Sequence, residues 1–285
     1  SLFMTQPAVT SQIRQLEEHY GARLFDRAQG GILLTDAGTI AFEYAERILA
    51  LSAELDTRLK ELDGQVAGPL LIGASTTIAE FLLPQILGEF KACHPAIVPR
   101  LFVANSEAVQ GRTAERSLDL GFIEGDSHLP SLVTEFCCED ELRVTCAPGH
   151  PLARLQCATP ESLTQHAYAS REMGSGTREV IDHYLQKAGV APDLLQVVVE
   201  LGSPEALKGL VATGVAFAIM SRATVVQQIR LGDLVQVPLA PRLIRNLAVV
   251  YPKERFQSRL VKGFVQFAKE RLAAMQPVDP RAADS

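Results

Sequence analysis

Three helix beginnings carry the residues best suited to hold an anion. "GASTTIAEFLLPQ" places Ser75, Thr76 and Thr77 between a strand pattern and a helical one. "EMGSGTREVIDHYL" sets Gly174-Ser175-Gly176-Thr177-Arg178 at a second start, and "GSPEAL" offers Ser203 ahead of Pro204 at a third. The first N–H groups of a helix lack intrahelical partners and lie at the positive end of its dipole, so they attract anions, and hydroxyls add donors. Gly176 lets backbone approach a ligand closely, and Arg178 adds a planar fork for an oxyanion. Glu124 in "FIEG" follows a buried strand pattern, near the carboxyl end where open α/β sheets take ligands. It suits pairing with Arg178, bonding to a protonated ligand, or plain solvation. Each helix start alone also reads as an ordinary N-cap. One start in each half of the domain argues for a clamp that closes on one small anion from both sides.

A fourth stretch suits a different partner. In "TQPAVTSQIRQLEE" Thr5 can cap a helix and Pro7 is tolerated in its first turn. Val9, Ile13, Leu16 and Tyr20 fall on one apolar stripe. Gln6, Thr10 and Arg14 share another face, with Ser11 and Gln15 beside it. Amides, hydroxyls and one guanidinium are the groups that read base edges and phosphates in a DNA groove. A solvated, Gln-rich helix is the other reading of the same face. "GARLFDR" and "ILLT" then flank Ala28–Gly31, predicting two short strands around a tight turn, a small wing, with Arg27 placed for phosphate.

Other chemistry is poorly represented. No nucleophile elbow, phosphate-binding loop or HExxH pair occurs, and the six histidines have no ligand spacing, so neither an enzyme nor a metal or cofactor site is expected. Five cysteines without a CxxC pair read as reduced structural thiols. Adjacent Cys137 and Cys138 would point to opposite faces of a strand, which disfavours a redox pair.

The elements that must position these residues follow from periodicity. Asp36 to about Asp63 is one helical run in which Ile48, Leu51, Leu55, Leu59 and Leu62 step by 3, 4, 4 and 3, the spacing of a coiled-coil seam. It fits pairing with a second copy or packing on its own domain. "DGQVAGP" breaks it. Strands then alternate with helices over Thr77–Lys91, Ser106–Leu118, Thr177–Ala188, Pro204–Ala212 and Ser258–Met275, predicting an α/β domain with largely parallel sheets. Residues 276–285 read as a tail. A chain of 285 residues, 47% apolar and 21% charged, is globular. It has no apolar run of membrane-spanning length and no signal peptide, so a cytoplasmic protein with no membrane partner is expected. The net charge of −6 argues against broad nucleic-acid binding, so any DNA affinity must come from placement and from doubling in a dimer.

"TQPAVTSQIRQLEEHYGARLFDR…LLTDAG" resembles the DNA-binding segment of LysR-type bacterial transcription regulators. The position of Ser11 is often Arg in that family, and the wing tip Gln29-Gly30-Gly31 lacks the usual cation. Ser1-Leu2-Phe3 resembles the turn before the recognition helix, so the motif's preceding helix is expected to lie outside this sequence. "ASTT", "FIEG", "GSGTRE" and "GSPEALK" resemble the branch controlling sulfur assimilation, sulfite response or carbon-dioxide fixation operons. The resemblance implies an N-terminally incomplete winged helix-turn-helix over 1–35, a dimerising linker helix over 36–66 and a two-lobed, periplasmic-binding-protein-like effector domain over 67–285. Lobe I would hold 67–140 and 245–275, and lobe II 141–244. It further implies double-stranded DNA, a small anionic metabolite, a homodimer or homotetramer and RNA polymerase as partners. Sulfite or sulfate, or a phosphorylated or carboxylate metabolite, would be the effector. A stand-alone solute-binding protein would share the lobes but has no use for wing and linker. An effector-independent repressor has no use for the anion-suited helix starts.

Overall fold

The computed structural model describes residues 5–28, 31–62, 67–253 and 258–275. The chain divides into two compact units, Ser1–Leu55 and Asp56–Ser285.

The first unit holds α1 (Gln6–Tyr20), β1 (Phe25–Ala28), β2 (Gly31–Leu34) and most of α2 (Asp36–Leu62). Pro7 lies in the first turn of α1, and Gly21 ends that helix in the left-handed conformation at φ 64°. Thr5 takes the N-cap position, but its side chain makes no capping bond. β1 and β2 pair antiparallel, Phe25 opposite Leu34 and Ala28 opposite Gly31, which is the wing. Thr35 caps α2 by accepting from the Gly38 N–H at 2.9 Å, while its hydroxyl donates to the Arg23 carbonyl at 2.6 Å. A Cβ on Gly38 would stand 1.9 Å from the Leu24 carbonyl oxygen, so only glycine lets α2 start this close to the wing. α1 buries none of its side chains, and Val9, Leu16 and Tyr20 are exposed. Ile48, Leu51, Leu55 and Leu59 are exposed along α2. The side chains of Arg27 and Leu62, the tip Gln29-Gly30, the start Ser1-Leu2-Phe3, most of the breaker after α2 and the tail 276–285 lie outside the described residues.

The second unit runs β3 (Gly68–Ser75), α3 (Thr76–Phe81), α4 (Leu83–Cys93), β4 (Ile97–Ala104), α5 (Ser106–Ala114), β5 (Leu120–Glu124), β6 (Leu132–Cys146) and α6 (Pro160–Leu163). It continues through β7 (Ala167–Arg171), α7 (Gly176–Lys187), β8 (Gln196–Leu201), α8 (Pro204–Ala212), β9 (Ala218–Ser221) and α9 (Val226–Leu231). β10 (Val235–Val237), β11 (Leu243–Pro252) and α10 (Arg259–Ala274) complete it. The single helix expected over Thr77–Lys91 is broken at Leu82, because Pro84 lies in the first turn of α4 and disfavours continuous helix through the residues before it. The helix expected to reach Leu118 stops at Ala114, just before Arg116 at φ 64°.

The sheets are mixed rather than largely parallel. β3 pairs parallel with β4 and β5, and β7 with β8, as βαβ units require. The larger sheet runs β10-β6-β11-β5-β3-β4, with β9 also on β6, and every pair involving β6 or β11 is antiparallel. These two long strands thread both lobes. Cys137, Cys138, Leu247 and Val249 pack in the first core with Ile86, Phe90 and Phe264, whereas Leu142, Val144 and Leu243 pack in the second with Tyr168, Leu185 and Phe217. Between the cores Arg245 stands opposite Asp140 in register.

Candidate functional site

On α1, Gln6, Pro7, Thr10, Ser11 and Arg14 are all exposed. The Thr10 hydroxyl donates to the Gln6 carbonyl at 2.9 Å, and Arg14 stands 3.6 Å from Glu18. Both members of that ion pair are largely exposed, so it costs little to break and leaves the guanidinium available for a phosphate or a base.

The second site is assembled where the lobes meet. β3 delivers Ser75 to the start of α3, and the loop after β7 delivers Ser175 to the start of α7. Both hydroxyls are buried, make no capping bond and have no hydrogen-bond partner among the described residues. Buried polar groups are almost always paired, so each points to a partner supplied from outside the protein. Thr77 and Thr177 line one recess, with Arg171, Leu207, Ser221 and Thr224. Thr76 reaches across: its hydroxyl accepts from Arg171 Nη2 at 2.9 Å. Arg171 is 4% exposed and is further held by both oxygens of Glu172 and by the Gly202 carbonyl.

Behind the recess lies a buried charge cluster. Arg245 Nε donates to Asp140 at 2.8 Å, and Nη1 donates to the Thr177 hydroxyl at 2.7 Å. Nη1 also stands 3.7 Å from Glu124. Nη2 is 2.7 Å from Asp140 but makes no hydrogen bond among the described residues, so this buried nitrogen is left without an acceptor. Glu124 accepts from the Ser106 hydroxyl at 2.9 Å, and its other oxygen is unbonded. Asp140 accepts from Ser221 at 2.7 Å. One guanidinium thus ties β11, β6, β5 and the start of α7 together at the level where the chain passes between lobes.

Thr77 and Thr177 of the two helix starts therefore meet, and the arginine lining their recess is Arg171. Arg178 does not line the recess of Thr77 and Thr177; with Gly174 and Ser175 it lines a separate cavity. It donates to the Arg171 carbonyl at 3.0 Å and to Glu200 at 2.6 Å, bracing the strand end that carries Arg171. Glu124 faces Arg245, not Arg178. Ser203 caps α8 by accepting from the Ala206 N–H at 3.4 Å. Gly176 serves lobe contact: an added Cβ would lie 2.5 Å from the Glu124 carbonyl oxygen and 2.6 Å from Ser106 Oγ. Arg171 and Arg245 carry no motif of their own. Their signal is a lone cation at the end of, or inside, an otherwise apolar strand, "AYASR" and "LIRNLAVV". Among the described residues no group of His, Cys, Asp and Glu is arranged to hold a metal.

Comparison with known proteins places both segments of the chain in one family. Residues 1–39 match the family described as "Bacterial regulatory helix-turn-helix protein, lysR family", and residues 63–273 match "LysR substrate binding domain". A protein named "Probable RuBisCO transcriptional regulator" from Cyanidioschyzon merolae is 35% identical over 93% of this chain and 89% of its own length. The regulatory domain of CcmR from Synechocystis, solved in complex with 2-PG, is 26% identical with a TM-score of 0.66, over 73% of this chain and 99% of that domain. CbnR, a LysR family transcriptional regulator, shares the fold at a TM-score of 0.70 and 20% identity, over 95% of this chain and 91% of that one. Members of this family are transcription regulators, not enzymes, and with both of its segments matched in order the chain belongs to the LysR family.

Proposed function

We propose that this regulator senses a small anionic metabolite in the recess between its lobes and converts occupancy into a change in DNA binding. The observation that carries the reading is Arg171. A buried guanidinium from lobe II donates to the helix-start hydroxyl of Thr76 in lobe I, in a recess that also takes Thr77 and Thr177. Ser75 and Ser175 supply unpaired hydroxyls, and Arg245 holds Thr177 from behind. Neither lobe has a full donor set, so a bound anion favours the arrangement that brings them together, through its differential affinity for the two states. A phosphorylated carboxylate such as 2-phosphoglycolate fits two donor groups better than a single tetrahedral oxyanion, and the CcmR domain binds 2-PG. Sulfite and sulfate are the competing probes. On the DNA side, Gln6, Pro7, Thr10, Ser11 and Arg14 read the groove, Arg27 takes a phosphate, and the Ile48–Leu59 stripe pairs two copies in the cytoplasm.

A thermal-shift series on the full chain tests the effector. A ligand at a hundred times its Kd stabilises the folded state by about 2.7 kcal/mol, so 2-phosphoglycolate should raise the unfolding temperature by several degrees. A flat response to it and to both sulfur oxyanions refutes the sensing role. Loss of footprinting by the Thr10→Ala, Arg14→Ala variant, with an unchanged circular dichroism spectrum, tests the DNA face.

A further inference from the structure

Lys208 is a lysine that the recess does not use. It belongs to α8 of lobe II and is 95% buried, since its residue exposure is 5%. Its ammonium donates to the Thr224 carbonyl at 3.0 Å and stands 2.6 Å from Glu205 Oε1. The nitrogen also lies 4.8 Å from the centre of the Phe81 ring. Phe81 is the last residue of α3 and belongs to the other lobe. An ammonium has three N–H bonds. A carbonyl, a carboxylate and a ring face account for three directions, so none is left for an anion in the recess. Glu205 is more than half exposed and travels with Lys208 on the same helix, as Thr224 does on the same lobe. Of the three contacts, the ring alone belongs to lobe I. Glu80, one residue before Phe81, is a second group from lobe I: burial and then the Glu205 charge push its carboxyl up, against the smaller pull of Arg171 and Lys208.

We infer that Lys208 and Phe81 are a positioning pair: their cation–π contact favours the closed arrangement of the lobes and so raises affinity for an anion that neither side chain touches. The inference rests on the effector reading only for its second half. Parting the lobes would withdraw the ring from the ammonium and return that N–H to water. A cation over an aromatic face is worth most where water is excluded, as it is for a lysine this buried. The pair therefore biases a two-state element without contributing to the recess, and its strength sets how much of the protein is closed before any ligand arrives.

The two exposed cysteines give a direct probe. Cys93 ends α4 in lobe I and Cys157 lies in lobe II, whereas Cys137, Cys138 and Cys146 are buried. Nitroxides on Cys93 and Cys157, in full-length chain diluted into unlabelled protein, report the interlobe distance by pulsed electron resonance. Without ligand, Lys208→Met and Phe81→Leu should each raise the open-to-closed ratio by roughly five- to thirtyfold. The double variant should go no further than either single, and Phe81→Tyr, which keeps the ring, should match the parent. 2-Phosphoglycolate affinity should fall with the closed fraction. A distance distribution unchanged by Lys208→Met and by Phe81→Leu, or shifts that add fully in the double variant, would overturn the pairing. If the distances shift as expected and neither 2-phosphoglycolate nor inorganic sulfate binds the parent, the latch stands and the effector reading fails. Should Lys208→Met not fold, the half-buried Phe81→Leu and Phe81→Tyr comparison decides alone.

Discussion

Replacing Arg245 by Met should cost the effector domain about 3 kcal/mol of stability, and the reason lies in what the guanidinium leaves behind. Its side chain is fully buried, and it neutralises Asp140 at 2.7–2.8 Å and faces Glu124 at 3.7 Å. Those carboxylates are 11% and 2% exposed, so neither can turn to water. Breaking a buried ion pair by removing one partner costs roughly 3–5 kcal/mol, since the remaining charge is uncompensated. The lower end applies here, because Asp140 keeps the Ser221 hydroxyl and Glu124 keeps that of Ser106, while Met fills most of the volume of the arginine stem. Adding Asp140→Asn should return part of the loss, since the double variant no longer buries that orphaned charge. Urea unfolding followed by circular dichroism measures both. A loss below about 1 kcal/mol for Arg245→Met, or no recovery in the double variant, would refute the reading of Arg245 as the cation that compensates these buried carboxylates.

Other consequences follow from single contacts. Gly176→Ala drives a Cβ to 2.5 Å from the Glu124 carbonyl and should weaken anion binding at least about fivefold in calorimetry, an overpacking cost of about 1–3 kcal/mol; parent-like affinity would show that the lobes tolerate the spacing. Iodoacetamide at pH 8 should label Cys93 and Cys157 in minutes, because burial pushes the Cys137 thiol up to about 12 and those of Cys138 and Cys146 up to about 11. Mass spectrometry should find those three modified only after unfolding. Leu55→Asp places a carboxylate in the exposed α2 stripe and should shift sedimentation toward monomer, whereas an intact dimer would move the pairing surface elsewhere.

Much of this arrangement is legible in the sequence. Apolar spacing locates α2 and its exposed leucines, Gly21 marks the end of α1, and hydroxyl-rich helix starts point to Ser75–Thr77 and Ser175–Thr177. What stays hidden are contacts between residues far apart along the chain. Arg171 meets Thr76 across 95 positions and Arg245 meets Asp140 across 105, and periodicity carries no information about such pairs. The same gap explains Arg178. Its place in the Gly-Ser-Gly-Thr-Arg run suggests an anion ligand, and periodicity does not reveal that Glu200, 22 positions on, accepts from its guanidinium. Strand direction is missed for a related reason. βαβ patterning predicts parallel pairing, yet β6 and β11 connect lobes and run antiparallel to their neighbours.

The central claim, that a small anion is held between the lobes by Arg171 and the two facing helix starts, is tested most directly by calorimetry. 2-Phosphoglycolate, sulfite and sulfate would be titrated in turn into the full-length parent, Arg171→Ala and Arg178→Ala. At least one of the three should bind the parent with one site per chain, and 2-phosphoglycolate should bind most tightly. A charge-assisted hydrogen bond contributes about 1.5–3 kcal/mol, so Arg171→Ala should lose at least tenfold in affinity, while Arg178→Ala, which only braces the strand end, should lose about threefold or less. Binding that survives Arg171→Ala undiminished, or falls more steeply with Arg178→Ala, would contradict the account.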